Sequence, residues 1–193
     1  MMKGGMHNLI AKLLTFWLPI PRGRRRCLRH RLRSFFIRMT IEKGVMLGEG
    51  VRFHEKSHLT SGSSVGDHTG IINLDVQGSG HIRIGRYSMI AWDVLAMTSN
   101  HDFNGEGIPF DGNDIIKNVE IGDYCWIGAR TMLLPGTRIG DGAIIQGGSV
   151  VHGVIPPLAI AGGNPAKVFA YRDAAKFERL KAEGKFFDTF DLG

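Results

Sequence analysis

Residues 121–151 read IGDYCWIGARTMLLPGTRIGDGAIIQGGSVV and carry an aliphatic residue at every sixth position. The aliphatic positions are Ile121, Ile127, Leu133, Ile139, Ile145 and Val151. Small residues lie four places after most of them, at Cys125, Thr131, Thr137, Ala143 and Ser149. This period fits neither the 3.6-residue turn of an α-helix nor the two-residue pleat of a strand. It predicts a chain that coils as a triangular prism, with one inward aliphatic residue on each side of every coil.

The same six-residue phase can be followed upstream of this stretch. It is carried by Leu47, Phe53, Leu59, Val65 and Ile71, and again by Ile84, Ile90 and Ala96. With the Pro-rich repeats near the end, we count about fifteen hexads, or about five coils that stack at roughly the 4.8 Å strand spacing. The sequence therefore predicts an all-β coil in which each turn pairs with the next. Gly122, Gly128, Gly140 and Gly148 are predicted at its corners, where the backbone needs freedom.

Three blocks of sequence carry a family resemblance. They are Ile84-Gly85 followed by His101, the block IGDYCWIG at residues 121–128, and residues 155–168, which read IPPLAIAGGNPAKV. Over roughly residues 47–171 the chain resembles the hexapeptide-repeat acyltransferases, in particular their maltose, galactoside and nodulation O-acetyltransferase branch. The resemblance implies a left-handed parallel β-helix, acetyl-CoA as co-substrate, no metal, and a homotrimer with active sites between subunits. The left hand comes from the family, because it departs from the usual right-handed crossover.

The chain divides into three parts. Residues 1–43 form a basic amphipathic segment, residues 44–171 the left-handed β-helix acyltransferase domain with an excursion loop at 102–118, and residues 172–193 a C-terminal helix and tail. Residues 173–182 read as a short helix with Phe177 and Leu180 on one side. We expect this helix to cap the coil or pack in a trimer and to have no chemical role.

Positive charge is concentrated at the N-terminus. The net charge is +6, and residues 1–43 hold 11 Lys or Arg against one acidic residue, Glu42. Apolar residues of this segment repeat at helical spacing, at Met6, Leu9, Ile10, Leu13, Leu14 and Trp17. The apolar run is too short to span a bilayer. It also does not read as a signal peptide, because Lys12 interrupts it and the arginines follow it.

Two arrangements remain open for this segment. Residues 6–33 can lie on an anionic membrane surface as an amphipathic helix beside polybasic residues. Alternatively, a helix packs over the open end or side of the coil with its arginines in solvent. We expect no nucleic-acid partner, because the basic run lacks interleaved aromatic residues. Cys27 and Cys125 give no disulfide framework, so we expect a cytoplasmic protein, in the first arrangement peripheral at the inner face of the membrane.

His101 is the candidate general base. It lies in residues 97–103, MTSNHDF, where the six-residue phase ends and a polar loop begins. Transfer of an acyl group from a thioester to a hydroxyl needs a base that titrates near neutrality, and histidine supplies one. The 17-residue spacing after Ile84 matches the catalytic histidine of the family. The seven other histidines are predicted to be surface residues, and Asp102 either orients the imidazole or begins the loop.

The remaining site residues follow from the resemblance. The backbone N–H of Ala129 corresponds to the oxyanion donor, so its side chain can vary. The predicted cofactor contacts are Trp126, Ala129, Gly147, Gly148 and Lys167, and the predicted substrate contacts are Asn73, Asp93 and Asp102. Trp126 could equally serve trimer packing, and the two glycines could serve corners. His152 and Gly153 replace a Thr-Lys pair that is common in the family, which removes one phosphate contact.

These features favour an acetyl-CoA-dependent O-acetyltransferase that acts on a sugar hydroxyl. The asparagine of galactoside-type enzymes aligns with Ile71, and their acidic N-terminal segment is replaced by a basic one. A saccharide of a surface polysaccharide or its precursor therefore fits better than a free galactoside or maltose. The alternative is N-acetylation of an amino sugar or small amine on the same fold. A zinc-dependent carbonic anhydrase is disfavoured, because His101 has no histidine five residues later.

Overall fold

The computed structural model describes Leu13, residues 22–41 and residues 43–187. The predicted apolar run at residues 6–17 lies outside these ranges except for Leu13. The helices are α1 (Arg22–Arg38) and α2 (Ala174–Ala182). The strands are β1 (Met46–Leu47), β2 (Arg52–Phe53), β3 (Ser64–Val65), β4 (Gly70–Ile71), β5 (Leu74–Gln77), β6 (Ile82–Ile84), β7 (Met89–Ile90), β8 (Val94–Met97), β9 (Ser99–His101), β10 (Asp114–Ile116), β11 (Val119–Ile121), β12 (Trp126–Ile127), β13 (Met132–Leu133), β14 (Arg138–Ile139), β15 (Ile144–Ile145), β16 (Val150–Val151), β17 (Val154–Ile155), β18 (Ala159–Gly163) and β19 (Ala166–Tyr171).

Most of these short strands build three parallel sheets, which are the sides of a prism. Face A contains β1, β3, β6, β11, β14 and β17; face B contains β2, β4, β7, β12, β15 and β18; face C contains β5, β8, β13 and β16. The register aligns the hexad positions of successive coils, so that Ile121 pairs with Ile84 above and Ile139 below. The predicted parallel β-helix of hexapeptide repeats is confirmed.

Face A has six strands, so the prism has one coil more than the sequence predicts. One side of a coil, and so part of this difference, was missed where the six-residue phase breaks. Val76 follows Ile71 by only five residues, yet it is fully buried in face C. Gln77, the residue in phase, is exposed. A coil can therefore lose one corner residue and still deliver an apolar side chain to the core.

The core contains the predicted aliphatic positions and, at the corners, the predicted small residues. Ile127, Leu133 and Val151 have no exposed surface, and neither do Thr137 and Ser149. The corner hydroxyls donate to backbone carbonyls of the same turn, from Thr137 to Leu134 at 2.7 Å and from Ser149 to Gln146 at 2.6 Å. Serine and threonine suit these positions because they satisfy buried carbonyls that no strand pairs with.

Close stacking of the coils explains the corner glycines better than backbone freedom does. A Cβ on Gly85 would lie 2.5 Å from the backbone nitrogen of Asp123 in the next coil. Gly85 and Gly122 do not adopt left-handed backbone angles, whereas Tyr124 does, with a φ of 59°. Gly148 is a corner at which the prediction of backbone freedom is correct, since its φ is 73°.

Helix α1 covers the first coil of the prism. Ile37 is buried against the core, and Ser34 Oγ accepts a hydrogen bond from Phe53 N at 3.0 Å. Arg33 forms an ion pair with Glu55. Of the two arrangements left open by the sequence, packing over the open end of the coil is therefore observed for α1. It covers strand edges that would otherwise be free to pair with other chains.

At the opposite end, β19 pairs antiparallel with β18, and α2 then packs on the corner between faces A and B, beside Gly142. The helix predicted at residues 173–182 is confirmed: Asp173 is its N-cap and accepts from Lys176 N at 2.9 Å. Phe177 of α2 meets the ring of Tyr124 edge-on, at 5.9 Å between centroids. No helix in the described ranges has both the length and the apolar character needed to cross a bilayer.

Candidate active site

His101 lies on a β-hairpin that leaves the prism between faces C and A. Strands β9 and β10 pair antiparallel, with His101 opposite Asp114. His101 Nδ1 lies 3.0 Å from Asp114 Oδ1, and its ring stacks on Phe110 at 4.1 Å between centroids. When Nδ1 donates to the carboxylate, the lone pair of a neutral imidazole is on Nε2. The imidazole remains more than half exposed, so Nε2 can meet a substrate proton.

Asp114 is a site residue that the sequence analysis missed. Its Oδ2 accepts a hydrogen bond from Ser79 Oγ at 3.1 Å, and Ser99 Oγ lies at 3.5 Å. Two hydroxyls from neighbouring coils thus hold the carboxylate that faces His101. The available signal was the β-prone run Asp114–Ile116 after a Gly- and Asn-rich stretch, which is typical of the second strand of a hairpin.

Asp102 has a different environment. Its Oδ1 accepts from Asn104 N at 2.9 Å, and its backbone carbonyl accepts from Asp111 N at 3.2 Å. These bonds form the turn at the start of the excursion. Of the two roles considered for Asp102, its contacts correspond to beginning the loop, while the carboxylate facing the imidazole belongs to Asp114.

The other predicted site residues gather where face B turns into face C, which we call the BC corner. This corner is defined by Asn73, Asp93, Ala129, Gly147 and Gly148. Among the described residues, the Ala129 N–H has no hydrogen-bond acceptor. A Cβ on Gly147 would lie 3.5 Å from Ala129 N, so glycine keeps this amide uncovered. The BC corner can therefore offer an N–H to a ligand.

Several of the predicted site side chains lie along this corner or beside it. Trp126 projects from face B and is half exposed. Asn73 Nδ2 donates to Lys56 O at 2.5 Å, and Asp93 Oδ2 lies 3.8 Å from Arg130 Nε. Lys167 is exposed on β19, opposite Gly162, toward the end of the prism away from α1. The corner thus has an aromatic side chain near its amide and a cation at a distance along the coil axis.

His101 and Ala129 are not brought together within one chain. His101 follows β8 of face C, where the chain turns toward face A, and Ala129 precedes β13 of face C. Face C separates the two residues, and a side of about six residues at roughly 3.3 Å each spans on the order of 20 Å. A transferred acetyl group cannot contact both groups of the same subunit.

Cys125 lies inside the wall of the prism and is not a candidate nucleophile. Its thiol donates to Gly140 O at 3.2 Å. Burial raises the pKa of the Cys125 thiol to about 12. The described residues also contain no group of three His, Cys, Asp or Glu side chains that could hold a metal ion. His101 and the Ala129 amide remain as the candidates for a chemical role.

Comparison with known proteins identifies the family. A family profile described as bacterial transferase hexapeptide (six repeats) matches residues 118–153. The chain is 30% identical over 148 residues to WcaF of Escherichia coli (strain K12), provisionally named a colanic acid biosynthesis acetyltransferase, covering 74% of this chain and 76% of WcaF. The chain belongs to the hexapeptide-repeat acetyltransferase family. As a member of this family it is an acetyltransferase.

Two further relatives of this acetyltransferase match over shorter lengths. YvoF of Bacillus subtilis (strain 168), provisionally named an acetyltransferase, is 46% identical over 66 residues, which is 34% of this chain and 38% of YvoF. WbbJ of Escherichia coli (strain K12), provisionally named a lipopolysaccharide biosynthesis O-acetyl transferase, is 31% identical over 129 residues, 63% of this chain and 61% of WbbJ.

Solved structures agree on the fold. A galactoside acetyltransferase in complex with coenzyme A has a TM-score of 0.57 at 24% identity, covering 91% of this chain and 83% of that one. AntD, an N-acyltransferase from Bacillus cereus, has a TM-score of 0.62 at 20% identity, covering 75% and 86%. These likenesses establish the architecture of the acetyltransferase as a left-handed parallel β-helix.

Proposed function

We propose that this acetyltransferase transfers an acetyl group from acetyl-CoA to a sugar hydroxyl of a surface polysaccharide or its precursor, with His101 as general base. The observation that carries the proposal is the exposed imidazole whose Nδ1 faces Asp114 at 3.0 Å. The choice of acceptor is supported by the printed names of WcaF and WbbJ, which refer to colanic acid and lipopolysaccharide biosynthesis.

The reaction needs one proton relay. Nε2 of His101 takes the proton of the acceptor hydroxyl as its oxygen attacks the thioester carbonyl. The new C–O bond gives a tetrahedral oxyanion, which the Ala129 N–H stabilises. When the C–S bond breaks, the sulfur of CoA leaves with the electron pair and accepts the proton from the imidazolium. The products are an O-acetyl sugar and free CoA, and the base is restored.

The site is completed by a second subunit. Because face C separates His101 from Ala129, His101 must work with Ala129 of the partner subunit. The outward residues of face C include Leu95, Met132 and Val150, and the hairpin tip exposes Phe103 and Ile108. The outward side of face A instead carries pairs such as Arg138–Glu120. This distribution supports a homotrimer with face C toward the symmetry axis and the hairpin against a neighbour.

Acetyl-CoA is proposed to lie along the BC corner. The thioester carbonyl belongs at the Ala129 amide, beside Trp126. From there the pantetheine arm would pass Gly147 and Gly148, where no side chain obstructs it, toward Lys167 and its charge for a phosphate. Asn73, Asp93 and Asp102 stay proposed contacts of the acceptor. We also include in the proposal a peripheral membrane contact through the basic N-terminal segment, residues 6–33.

The test is CoA release in the presence of hydroxyl sugars and amino sugars, with product mass measured in parallel. The His101→Ala variant is expected to lose at least about 10²-fold in kcat/KM. The matched control is His68→Ala, an exposed histidine between faces A and B whose ring also stacks on an aromatic ring, that of Tyr87, and it should keep wild-type activity. Full activity in His101→Ala would reject the base, whereas acetylation of amines alone would replace O-transfer with N-transfer.

A further inference from the structure

The end of the prism covered by α1 exposes a face that mixes apolar and cationic side chains. While Ser34 and Ile37 pack onto the coil, Arg31, Phe35, Arg38 and Met39 are exposed. Their spacing of four, seven and eight residues from Arg31 follows one side of a helix. Phe35 is 58% exposed and Met39 is 70% exposed. We call these four residues the cap face.

Covering the coil does not account for the cap face. A helix that only shields strand edges needs apolar residues on its inner side, and Ile37 already fulfils this role. Two large apolar side chains between arginines are instead typical of a helix that lies in a membrane interface. The preceding sequence adds apolar residues at helical spacing, and its one described member, Leu13, is 59% exposed.

The charge of α1 determines whether it binds a negatively or a positively charged surface. The helix sequence, RGRRRCLRHRLRSFFIR, contains eight arginines and no acidic residue. Arg33 forms an ion pair with Glu55. Since the sequence of α1 contains no acidic residue, the field of the helix is positive and attracts a polyanionic surface.

We propose that the cap face docks on an anionic lipid bilayer, with Phe35 and Met39 among the headgroups and the arginines on lipid phosphates. This proposal is narrower than a membrane contact of residues 6–33 as a whole, since it depends on two apolar residues, Phe35 and Met39, that follow that segment. A bilayer is favoured over a nucleic acid because it accommodates both kinds of side chain. Arginine alone would suffice for a phosphate backbone, and Met39 would add nothing to such a contact.

The experiment is co-sedimentation of the full chain with vesicles, after nuclease treatment and without acetyl-CoA or acceptor. Vesicles of phosphatidylcholine with phosphatidylglycerol are expected to bind the protein, and vesicles of phosphatidylcholine alone are not. The double variant Phe35→Ser/Met39→Ser should weaken binding by at least about tenfold, because each substitution removes apolar area that would be buried in the bilayer. Arg31→Gln/Arg38→Gln should weaken it as well and reduce its salt dependence.

The matched control is Val154→Ser/Arg138→Gln on face A. Val154 is 70% exposed and the Arg138 side chain 67%, so the control removes similar groups far from α1. It should bind as the wild type does. The proposal is overturned if the wild type does not bind vesicles that contain phosphatidylglycerol, or if the Phe35→Ser/Met39→Ser variant binds them as well as the wild type does. It is also overturned if nuclease treatment abolishes sedimentation, which would reveal nucleic-acid binding. Acetyl transfer to a soluble acceptor is assayed separately, so failure of either proposal is distinguishable from failure of the other.

Discussion

Replacing Asp114 by Asn removes the charge that faces His101 and keeps the shape of the side chain. The pair is separated by 3.0 Å, with the imidazole 57% and the carboxylate 34% exposed. Coulomb's law at this distance gives about 1.4 kcal/mol for a dielectric near that of water and about 5.5 kcal/mol for an effective value of about 20. Because both side chains are partly exposed to water, the interaction energy of the pair lies toward the lower figure. We therefore expect Asp114→Asn to lower kcat/KM by roughly 10- to 100-fold, through a less stabilised imidazolium.

The assay measures kcat/KM for acetyl-CoA with the acceptor saturating. Asp111→Asn is the matched control, and because its carboxylate accepts from Asn113 N within a turn of the same hairpin, we expect less than about a twofold change. In the His101→Ala background, Asp114→Asn should cost nothing further, since Asp114 acts through the imidazole. The reasoning is refuted if Asp111→Asn loses as much as Asp114→Asn, or if Asp114→Asn lowers activity further when His101 is already absent.

Two other substitutions test the fold. Gly85→Ala places a Cβ 2.5 Å from Asp123 N, so we expect a loss of about 1–3 kcal/mol in the free energy of unfolding, measured with urea. The control is Gly112→Ala, whose Cβ would have nothing within 4 Å and should change stability little. Equal effects of the two substitutions would contradict the close stacking of the coils. In a Cys27→Ser variant, Cys125 should resist thiol reagents at pH 8 until the protein is unfolded, because burial raises its pKa to about 12. Because the folded thiol stays protonated where the unfolded one ionises, the stability of the fold should be constant below pH 9.0 and fall as the pH rises from there toward 12. Rapid labelling of native protein at pH 8 would contradict the burial.

The sequence predicted the prism because its hexad phase is a direct consequence of coil geometry. When each side of a coil has six residues, every sixth residue points inward, as Ile127 and Leu133 do. The phase does not extend across the excursion loop, since Ile121 follows Ala96 by 25 residues, which is not a multiple of six. Strand pairing places Ala96 in face C and Ile127 in face B. The separation of His101 from Ala129 therefore became evident only from the structure.

The pairing of His101 with Asp114 was not predictable in the same way. It depends on the register of a hairpin with a 12-residue connection, residues 102–113, and many registers are compatible with that stretch. The position of α1 was equally undetermined. Its sequence gives a helix with an apolar side but does not say whether Ile37 meets the coil or a lipid. Both outcomes depend on tertiary contacts, which local patterns do not encode.

Docking of the cap face would fix the height of the active site above the membrane. The hairpin that carries His101 leaves the prism after β8, in the third coil from α1. Two coil spacings contribute about 10 Å and the helix about another 10 Å, so His101 would stand roughly 20 Å from the headgroups. A sugar joined directly to its lipid would not reach this height, whereas an oligosaccharide that extends from a lipid carrier would. The two proposals, made from different parts of the molecule, thus favour the same class of acceptor, a growing saccharide chain anchored in the membrane.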